Sequence, residues 1–512
     1  MPLSSTAMPG LTPADWIAHW ARVCPVRVAM REVSGARAVS YAELDAMAWR
    51  WVGALLASGA RSGDRVALLA RNGVVTFEVL AACLRLGLVF TPLNWRLSGP
   101  ELVDICAECA PRVLIYDEGS PDATTLLLHR LPEIRGIALR QPLRASDNTA
   151  SALMTGAADH GVVAAADPEA PSMLLYTSGT SGRPKGVLLP HRQVFWNALN
   201  TVAATDLGPD DRVLGCLPLF HTGGLNCLAT PTLYRGGTLL LMDSFEPAAA
   251  LRALESHRGT QMVAVPTMYQ MLLDAGLDAF DLSSLTTLLC GGAPCPPPLL
   301  AAFLDRGFNF RQGFGMTEVG PNCFSLPAKM ARRKPGSVGQ PVMHVEACVV
   351  DEDGRHLGVG QTGELRLSGP IVCSGYFGDD ATTAGCEDEP WFSTGDLARF
   401  DDEGYFYIDG RKKEMFISGG ENVYPAEVEA VIAAVPGVVE VAVLGIADER
   451  WQEVGLAFVV VSEPFDVETL RAACVARLAR FKVPKRFERI DELPKNATGK
   501  VDRARLRARI DE

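Results

Sequence analysis

The run Tyr-Thr-Ser-Gly-Thr-Ser-Gly-Arg-Pro-Lys-Gly, from Tyr176 to Gly186, gathers four Ser/Thr hydroxyls, three glycines and one lysine into eleven residues. Gly179, Gly182 and Gly186 let the backbone approach a ligand closely and turn its N–H groups into an anion-binding nest. Thr177, Ser178, Thr180 and Ser181 add hydroxyl donors, and Lys185 adds a charge whose hydrogen bonds to phosphate are roughly twice as strong as neutral ones. Such a run suits a polyphosphate, and ATP above all. It is not the common NTPase loop, because the lysine follows Pro184 and is itself followed by a glycine rather than by Ser or Thr.

A second constellation, Gln312-Gly313-Phe314-Gly315-Met316-Thr317-Glu318, suits a nucleoside monophosphate. A flat Phe314 ring stacks on adenine, Gly313 and Gly315 let backbone reach the base, Thr317 donates to a phosphate oxygen, and Glu318 offers a hard oxygen ligand to Mg²⁺. Ser393-Thr394-Gly395-Asp396 supplies an acceptor-only carboxylate that fits two vicinal ribose hydroxyls, although Gly-Asp is also a turn formula. Asp409-Gly410-Arg411-Lys412-Lys413-Glu414 is a charged, glycine-bounded connector, which reads either as a hinge or as a solvated turn. By composition alone, His221 within Pro218-Leu219-Phe220-His221-Thr222-Gly223-Gly224 is a satisfied core histidine, and Lys500 is surface charge.

Elements that would position these residues follow from periodicity. Ser40-x-x-Glu43 predicts a capped helix start, with Leu44, Met47, Trp51 and Leu55 at helical spacing up to Gly59. Val66 to Leu69 reads as a strand, Val75 to Leu86 as a helix stopped by Gly87, and Val89 to Thr91 as the next strand. That alternation favours parallel strands with helices on both faces, and Leu239 to Met242 and Met262 to Val265 repeat it. Val338 to Gly369 is strand- and turn-rich, with a hairpin turn at Asp353-Gly354. After residue 413 the pattern becomes a compact α+β module. A helix opens at Pro425 with Val428, Val431, Ile432 and Val435 on one face. Strands follow at Val438 to Leu444 and Leu456 to Val461, then a helix from about Asp466 to Arg480 with Leu470, Cys474 and Leu478 inward. The fold class predicted is α/β: a large N-terminal domain of two α/β subdomains plus a small β subdomain over residues 1–412, then a small mobile lid over 413–512.

The chain of 512 residues carries a net charge of −12, which argues against nucleic acid or anionic membrane as a partner, since both are polyanions. Thirteen cysteines form no disulfide framework. Cys106 and Cys109 read as two buried thiols on one helix face rather than a redox or zinc pair, so reduced thiols and a cytoplasmic location are expected. Val213 to Tyr234 lacks any charged residue, but Pro218, Gly223, Gly224 and Pro231 interrupt it, which favours a buried segment around a pocket over a membrane span. No basic segment followed by an apolar stretch opens the chain, so no secretion signal is expected.

Taken in order, these motifs resemble those of the adenylate-forming superfamily of acyl- and aryl-CoA synthetases, adenylation domains and beetle luciferase, over about residues 15 to 510. The resemblance implies ATP, Mg²⁺ and coenzyme A as co-substrates and cofactors, a small carboxylic acid as substrate, and an acyl-AMP intermediate that a thiol then converts to a thioester. It makes Lys500, in Pro494-Lys495-Asn496-Ala497-Thr498-Gly499-Lys500, the adenylation lysine that bridges carboxylate and α-phosphate. Asp396 and Arg411 become the ribose pair, and Lys413 the residue about which the lid rotates. Gly292, Ala293 and Pro294 would abut adenine, while His221, Gly224, Val265, Pro266, Gly292, Gly315 and Met316 would surround the acyl group. Gly419, Gly420 and Asn422 would line the coenzyme A tunnel. Phe314 stands where many members have tyrosine, which keeps stacking and loses a phenolic hydrogen bond. The acyl surroundings are small or apolar with no evident second cation, so a hydrophobic monoacid is expected, whether fatty, aryl or polycyclic. No carrier segment is fused, which favours coenzyme A as the thiol. A stand-alone enzyme loading a carrier protein, and a silent nucleotide-binding homologue, are the alternatives; a homodimer is compatible with each.

Overall fold

The structure is a computed structural model and describes residues 15–511 apart from 36, 155–166, 178–183, 379–390, 419–420, 449–450, 463–465, 479 and 497–498. Two sheets in the body lie against one shared apolar layer, and a third sheet belongs to the carboxy-terminal module.

The first sheet has seven strands in the spatial order Asn148–Thr149, Arg135–Ala138, Val113–Tyr116, Arg65–Leu69, Val89–Pro92, Pro171–Thr177 and Lys185–Pro190. All neighbours run parallel except the last pair, which is antiparallel with Thr177 opposite Lys185. Side chains alternate between two cores. Val66 and Leu68 point into the layer shared with the second sheet, and Ala67 and Leu69 point to the outer core with Leu102, Ile105, Cys106 and Cys109. A sheet covered on both faces needs such near-continuous apolar strands. The helix Gly99–Cys109 does bury both thiols as expected.

The predicted helix at Ser40 is the helix Tyr41–Ala57, with the full capping box at Ser40 and Glu43 and with Leu44, Trp51 and Leu55 buried; Met47 lies nearer the surface. The next helix, Val74–Leu86, ends on Gly87 at φ +65°, a left-handed position that glycine takes without cost. Both pack in the shared layer.

The second sheet runs from Ala38–Ser40 through Val28–Glu32, Thr238–Leu241, Arg212–Gly215, Gln261–Ala264, Thr287–Cys290 and Phe310–Met316, parallel apart from its first pair. It then turns antiparallel through Gly320–Leu326 and Ser337–Pro341 and continues into the strand-rich region, Phe406–Arg411, Phe392–Phe400, Gly363–Ser368 and Glu346–Val350. That region keeps its own core of Val349, Leu365, Leu367, Phe392 and Phe406, but Ser337–Pro341 hydrogen-bonds it to the α/β sheet on one side. The Asp353-Gly354 turn lies within the longer connection between Glu346–Val350 and Gly363–Ser368, where Val350 bridges His356 and Gly354 takes φ +79°.

In the carboxy-terminal module the helix Pro425–Ala433 buries Val428 and Ile432, and Val467–Arg477 buries Leu470 and Cys474. Its two long strands, Val438–Asp448 and Gln452–Val461, each reach about four residues past the apolar runs that signal them, because antiparallel pairing continues through Asp448 and Gln452. The apolar stretch from Val213 is a strand followed by His221, a short π-helical turn at Leu225–Ala229 and the helix Thr230–Arg235, all largely buried. Among the described residues no helix is long and apolar enough to cross a membrane.

Candidate active site

Ligands of open α/β sheets bind beyond the carboxyl ends of the parallel strands, and this chain places its chemistry there. Strands ending at Thr177, Gly215, Ala264, Cys290 and Met316 are followed by the phosphate run, by Pro218 to Gly224, by Val265-Pro266, by Gly291 to Pro294 and by Thr317-Glu318. Ser178, Gly179, Thr180, Ser181 and Gly182 lie outside the described residues, as do Gly419 and Gly420, and the side chain of Asn422 is not described. The two ends of the phosphate run are fixed: the Thr177 hydroxyl donates to the Lys185 carbonyl at 3.4 Å across the strand pair.

From Lys185 a short relay leads inward. Its ammonium lies 4.8 Å from the centre of the Tyr376 ring, and the Tyr376 hydroxyl donates to Glu318 Oε1 at 3.0 Å. Tyr376 is held beside Val187 by a β-bridge. Glu318 is buried, its carbonyl accepts from the Cys373 N–H at 2.7 Å, and the buried Gln193 amide donates to the Thr317 carbonyl at 2.9 Å. Thr317 and Glu318 therefore sit on a three-residue turn pinned from both sides. Phe314 packs edge-to-face on Phe324, centroids 5.9 Å apart. A Cβ on Gly315 would fall 2.2 Å from the Pro321 carbonyl carbon, so only glycine lets the hairpin close there.

The Asp396–Arg411 pair is built by register. The two residues are direct partners across antiparallel strands, and Arg411 Nε meets Asp396 Oδ1 at 2.8 Å. Asp396 Oδ2 is buried with no hydrogen-bond partner, an orphaned acceptor of the kind that a bound hydroxyl satisfies. Burial pushes its carboxyl pKa up to about 6, against the opposing pull of Arg411 and Lys500. Lys500 stands on a tight turn in which Gly499 takes φ +80°, its N–H donates to Asn496 Oδ1 at 3.1 Å and its carbonyl accepts from the Asn496 N–H at 2.8 Å. Lys500 is exposed to solvent, with other charged groups close by. Desolvation leads the lowering of its pKa, with Arg411 next, opposed by Asp396, Glu318 and Glu414. The lid lysine and the body carboxylates thus share one electrostatic site.

On the far side, the His221 Nε2 is buried and unpartnered. Burial first, then the charges of Arg96 and Lys500, push its pKa down to about 4, so the ring is neutral at pH 7. Asn72 fixes the segment before it: its amide donates to the Leu217 and Met242 carbonyls at 2.9 and 3.1 Å, and its oxygen accepts from the Leu219 N–H at 2.9 Å. Gly224 presses on the chain, since a Cβ there would fall 2.1 Å from the Pro218 carbonyl oxygen. Gly292, at φ +82°, leaves a Cβ position only 3.4 Å from Val265, so the loops after two neighbouring strands meet. Val265 caps the helix Pro266–Asp274, whose first residue is buried.

Lys412 pairs with Glu364 at 3.1 Å and donates its N–H to the Gly395 carbonyl at 3.0 Å, whereas Glu414 pairs with Arg503 at 3.1 Å. Lys413 falls between a residue tied to the body and one tied to the last helix of the lid.

The structure thus gathers Lys185, Thr317, Glu318, Asp396, Arg411, Lys500 and His221 at one end of two sheets. Tyr376, Gln193 and Asn72 are partners that the sequence does not announce: each is a lone polar residue whose role depends on a contact tens to hundreds of positions away. A magnesium ion fits this donor set in one way. Among the described residues no three His, Cys, Asp or Glu side chains form a cage, so one buried carboxylate, Glu318, with phosphate oxygens and water is the arrangement available.

Comparison with known proteins follows the same lines. The profile of the AMP-binding enzyme family matches residues 17–377, and that of the AMP-binding enzyme C-terminal domain matches 427–500. A feruloyl-CoA synthase of Amycolatopsis sp. is 41% identical over 502 residues, covering 97% of this chain and 98% of that protein. The indoleacetate–CoA ligase of Aromatoleum aromaticum is 38% identical, covering 95% and 96%. The o-succinylbenzoate CoA synthetase of Bacillus subtilis, solved with its acyl-adenylate intermediate, superposes with a TM-score of 0.86 at 31% identity, covering 96% and 97%. With both profiles in chain order and full-length relatives at this identity, the chain belongs to the AMP-binding enzyme family of adenylate-forming ligases.

Proposed function

We propose that the residues gathered here divide an ATP-dependent acid:CoA ligation between a fixed body and a moving lid. The chain is an AMP-forming acid–thiol ligase: it joins a hydrophobic carboxylic acid to AMP, then passes the acyl group to coenzyme A. A carboxylate is a poor electrophile, and the mixed anhydride with AMP supplies the leaving group that thioester formation needs. The body would seat the nucleotide with Asp396 and Arg411 on the ribose hydroxyls, Phe314 and the Gly292-Ala293-Pro294 backbone on adenine, Thr317 on the α-phosphate, and Thr177 and Lys185 on the outer phosphates. Magnesium, when bound, would be held by Glu318 and would screen the charge of the phosphates.

His221, kept neutral by burial, donates or accepts at the acid's carboxylate without adding a competing charge to that of Lys500. Lys500 neutralises charge that develops on the α-phosphate, work worth on the order of 3 kcal/mol for one well-placed donor. The observation that supports this reading is the orphaned Asp396 Oδ2, with the charge of Lys500 near enough to act on the same carboxyl. Rotation about Lys413 would then withdraw Lys500 and bring Gly419, Gly420 and Asn422 to the thiol arm.

For the acid we favour aryl and arylalkyl monocarboxylates. The surroundings at Val265, Pro266, Gly292 and Met316 are apolar, and two relatives at 38–41% identity are named for such acids. A cytoplasmic location belongs to the same proposal, since the described cysteines are all free thiols. The test is pyrophosphate release over a panel of aryl, fatty and polycyclic acids, with and without coenzyme A and with mass detection of the product. Acyl-CoA from an aryl acid is expected; release that needs a carrier protein instead, or none with any acid, overturns the reading.

A further inference from the structure

The Cys-x-x-Cys pair that reads in the sequence as two buried thiols is buried, and its surroundings add a chemistry that burial alone does not give. Cys106 and Cys109 occupy the last turn of the helix Gly99–Cys109 and face the outer core. Three positions apart on a helix, they are side-chain neighbours. The Cys109 side chain is hydrogen-bonded to Cys106 and to the Tyr176 hydroxyl, whose oxygen also lies 3.3 Å from Glu108 Oε1. The bond from Cys106 first, then that from Tyr176 and the charge of Arg65, draw the Cys109 thiol below its ordinary pKa, against burial and the charge of Glu108. The same bond to Cys109, then burial, push the Cys106 thiol up. One sulfur is thus favoured as thiolate while its neighbour keeps the proton, the division that thiol oxidation uses.

The turn that carries Cys109 is the part of the helix able to move. Its final backbone bond runs from the Ala110 N–H to the Cys106 carbonyl at 2.9 Å, and Ala110 takes φ +41°, a left-handed position that a residue with a Cβ adopts only under constraint. Arg65 holds it there, its Nε and Nη2 donating to the Cys109 and Ala110 carbonyls at 2.7 and 3.0 Å. Ala107, Glu108 and Ala110 are exposed, so fraying of this one turn opens Cys109 to solvent. The turn also touches both ends of the phosphate run. Tyr176 opens the run and stands opposite Gly186, which closes it, and a Cβ on Gly186 would fall 3.1 Å from the Tyr176 ring. The Arg65 guanidinium carbon lies 5.7 Å from the centre of the Phe377 ring, and the Phe377 N–H donates to the Gly186 carbonyl at 2.7 Å.

We propose that Cys106 and Cys109 form a redox modification site at which hydrogen peroxide makes a disulfide, and that the oxidised form binds ATP more weakly because Tyr176 loses its hold on the helix end. The Cys109 sulfur attacks one peroxide oxygen, the O–O bond breaks, and water leaves as Cys109 becomes a sulfenic acid. The Cys106 sulfur then attacks the Cys109 sulfur, the S–O bond breaks, and the departing hydroxide takes the Cys106 proton as a second water. The two thiols lose two electrons and the peroxide is reduced to two waters. A disulfide needs Cβ atoms about 4 Å apart, against roughly 5 to 6 Å between helix neighbours at this spacing, so the terminal turn must give. Cys109 is drawn away from Tyr176, and the frame of the phosphate run shifts with it.

The test uses the full-length protein carrying C24S, C348S and C386S, since Cys24 and Cys348 are the described cysteines that are not buried and Cys386 lies outside the described residues. After exposure to hydrogen peroxide and quenching, peptide mass mapping locates the linkage and calorimetry measures Mg-ATP affinity. A Cys106–Cys109 disulfide is expected, with ATP bound about 5- to 10-fold more weakly and affinity restored by dithiothreitol, the scale of one or two lost neutral hydrogen bonds. Adding C106S should stop the reaction at a Cys109 sulfenic acid that dimedone traps. Adding C109S should leave ATP affinity within twofold of the parent before and after peroxide. Absence of the linkage overturns the proposal, as does a linkage that leaves ATP affinity within twofold of the reduced protein, or an equal peroxide effect in C109S. The comparison of one protein oxidised and reduced decides the matter even where a variant fails to fold. No turnover enters it, so failure of every acid to react would count against the ligase reading and leave this result standing.

Discussion

Two halves of one site are built by different means. On the body, Asp396 and Arg411 are set by strand register: five backbone pairs, from Asp396–Arg411 to Phe400–Phe406, fix where the carboxylate stands, and its second oxygen has no hydrogen-bond partner. On the lid, Lys500 is set by one tight turn around Asn496 and Gly499, carried by a module that joins the body through the Arg411–Met415 turn. On the proposed function, the body would hold groups that stay in place between half-reactions, while the carboxy-terminal module would hold the group needed in only one of them. Register fixes the one group, and a local turn carries the other.

The sharpest way to break that comparison is K500A. It should lower acyl-AMP formation about 100-fold or more, while thioester formation from preformed acyl-AMP stays within a few-fold of the parent, as followed by rapid quench of each half-reaction. Equal loss in both steps would mean that Lys500 does not switch. D396N attacks the fixed half and should raise the KM for ATP about 10- to 100-fold in both directions of the reaction, the scale of a hydrogen bond to a charged group.

Acidity adds a stability reading to D396N. A carboxyl whose folded pKa is near 6, above its ordinary 3.8, favours the fold only while protonated. That advantage is full below about pH 4 and is lost as pH rises to about 6, on the order of 3 kcal/mol. At pH 7 D396N should therefore keep or raise the melting temperature even as it loses ATP, since Arg411 is 39% exposed and rehydrates. ATP affinity of the parent should fall as pH drops below about 6, with no limb near 6.5 from His221, which stays neutral down to about 4. A drop in the melting temperature of D396N would show that the pair stabilises the fold.

Smaller effects sharpen the same contrast. Y376F removes the hydroxyl that braces Glu318 and should lower adenylation about 5-fold, a neutral-donor hydrogen bond's worth, most visibly at low magnesium. S40A lies in neither half. Loss of its cap on the helix Tyr41–Ala57 should cost about 1 kcal/mol of stability by urea unfolding and leave both half-reactions unchanged.

Legibility in the sequence followed the range of the forces involved. The helix Tyr41–Ala57 was readable to its first residue because its cap and its apolar stripe are local. The phosphate run and the Phe314 to Glu318 segment stand out in the sequence because their chemistry-bearing residues are consecutive. The strands Val438–Asp448 and Gln452–Val461 ran past their apolar signal, since pairing partners rather than side chains decide where a ladder ends. Tyr376, Gln193 and Asn72 gave no local pattern at all. Their bonds to Glu318, Thr317 and Leu217 span 58, 124 and 145 positions, and only the folded topology brings them together.

The short strand Ser337–Pro341 bonds to Gly320–Leu326 on one edge and to Phe406–Arg411 on the other. Anyone recombining this enzyme with a relative inherits that stitch as a rule for where to cut. A crossover near residue 340 would unpair two ladders at once and leave Asp396 on foreign partners, whereas one just beyond Arg411 severs no ladder of the body. Libraries of exchanged lids are best spliced there.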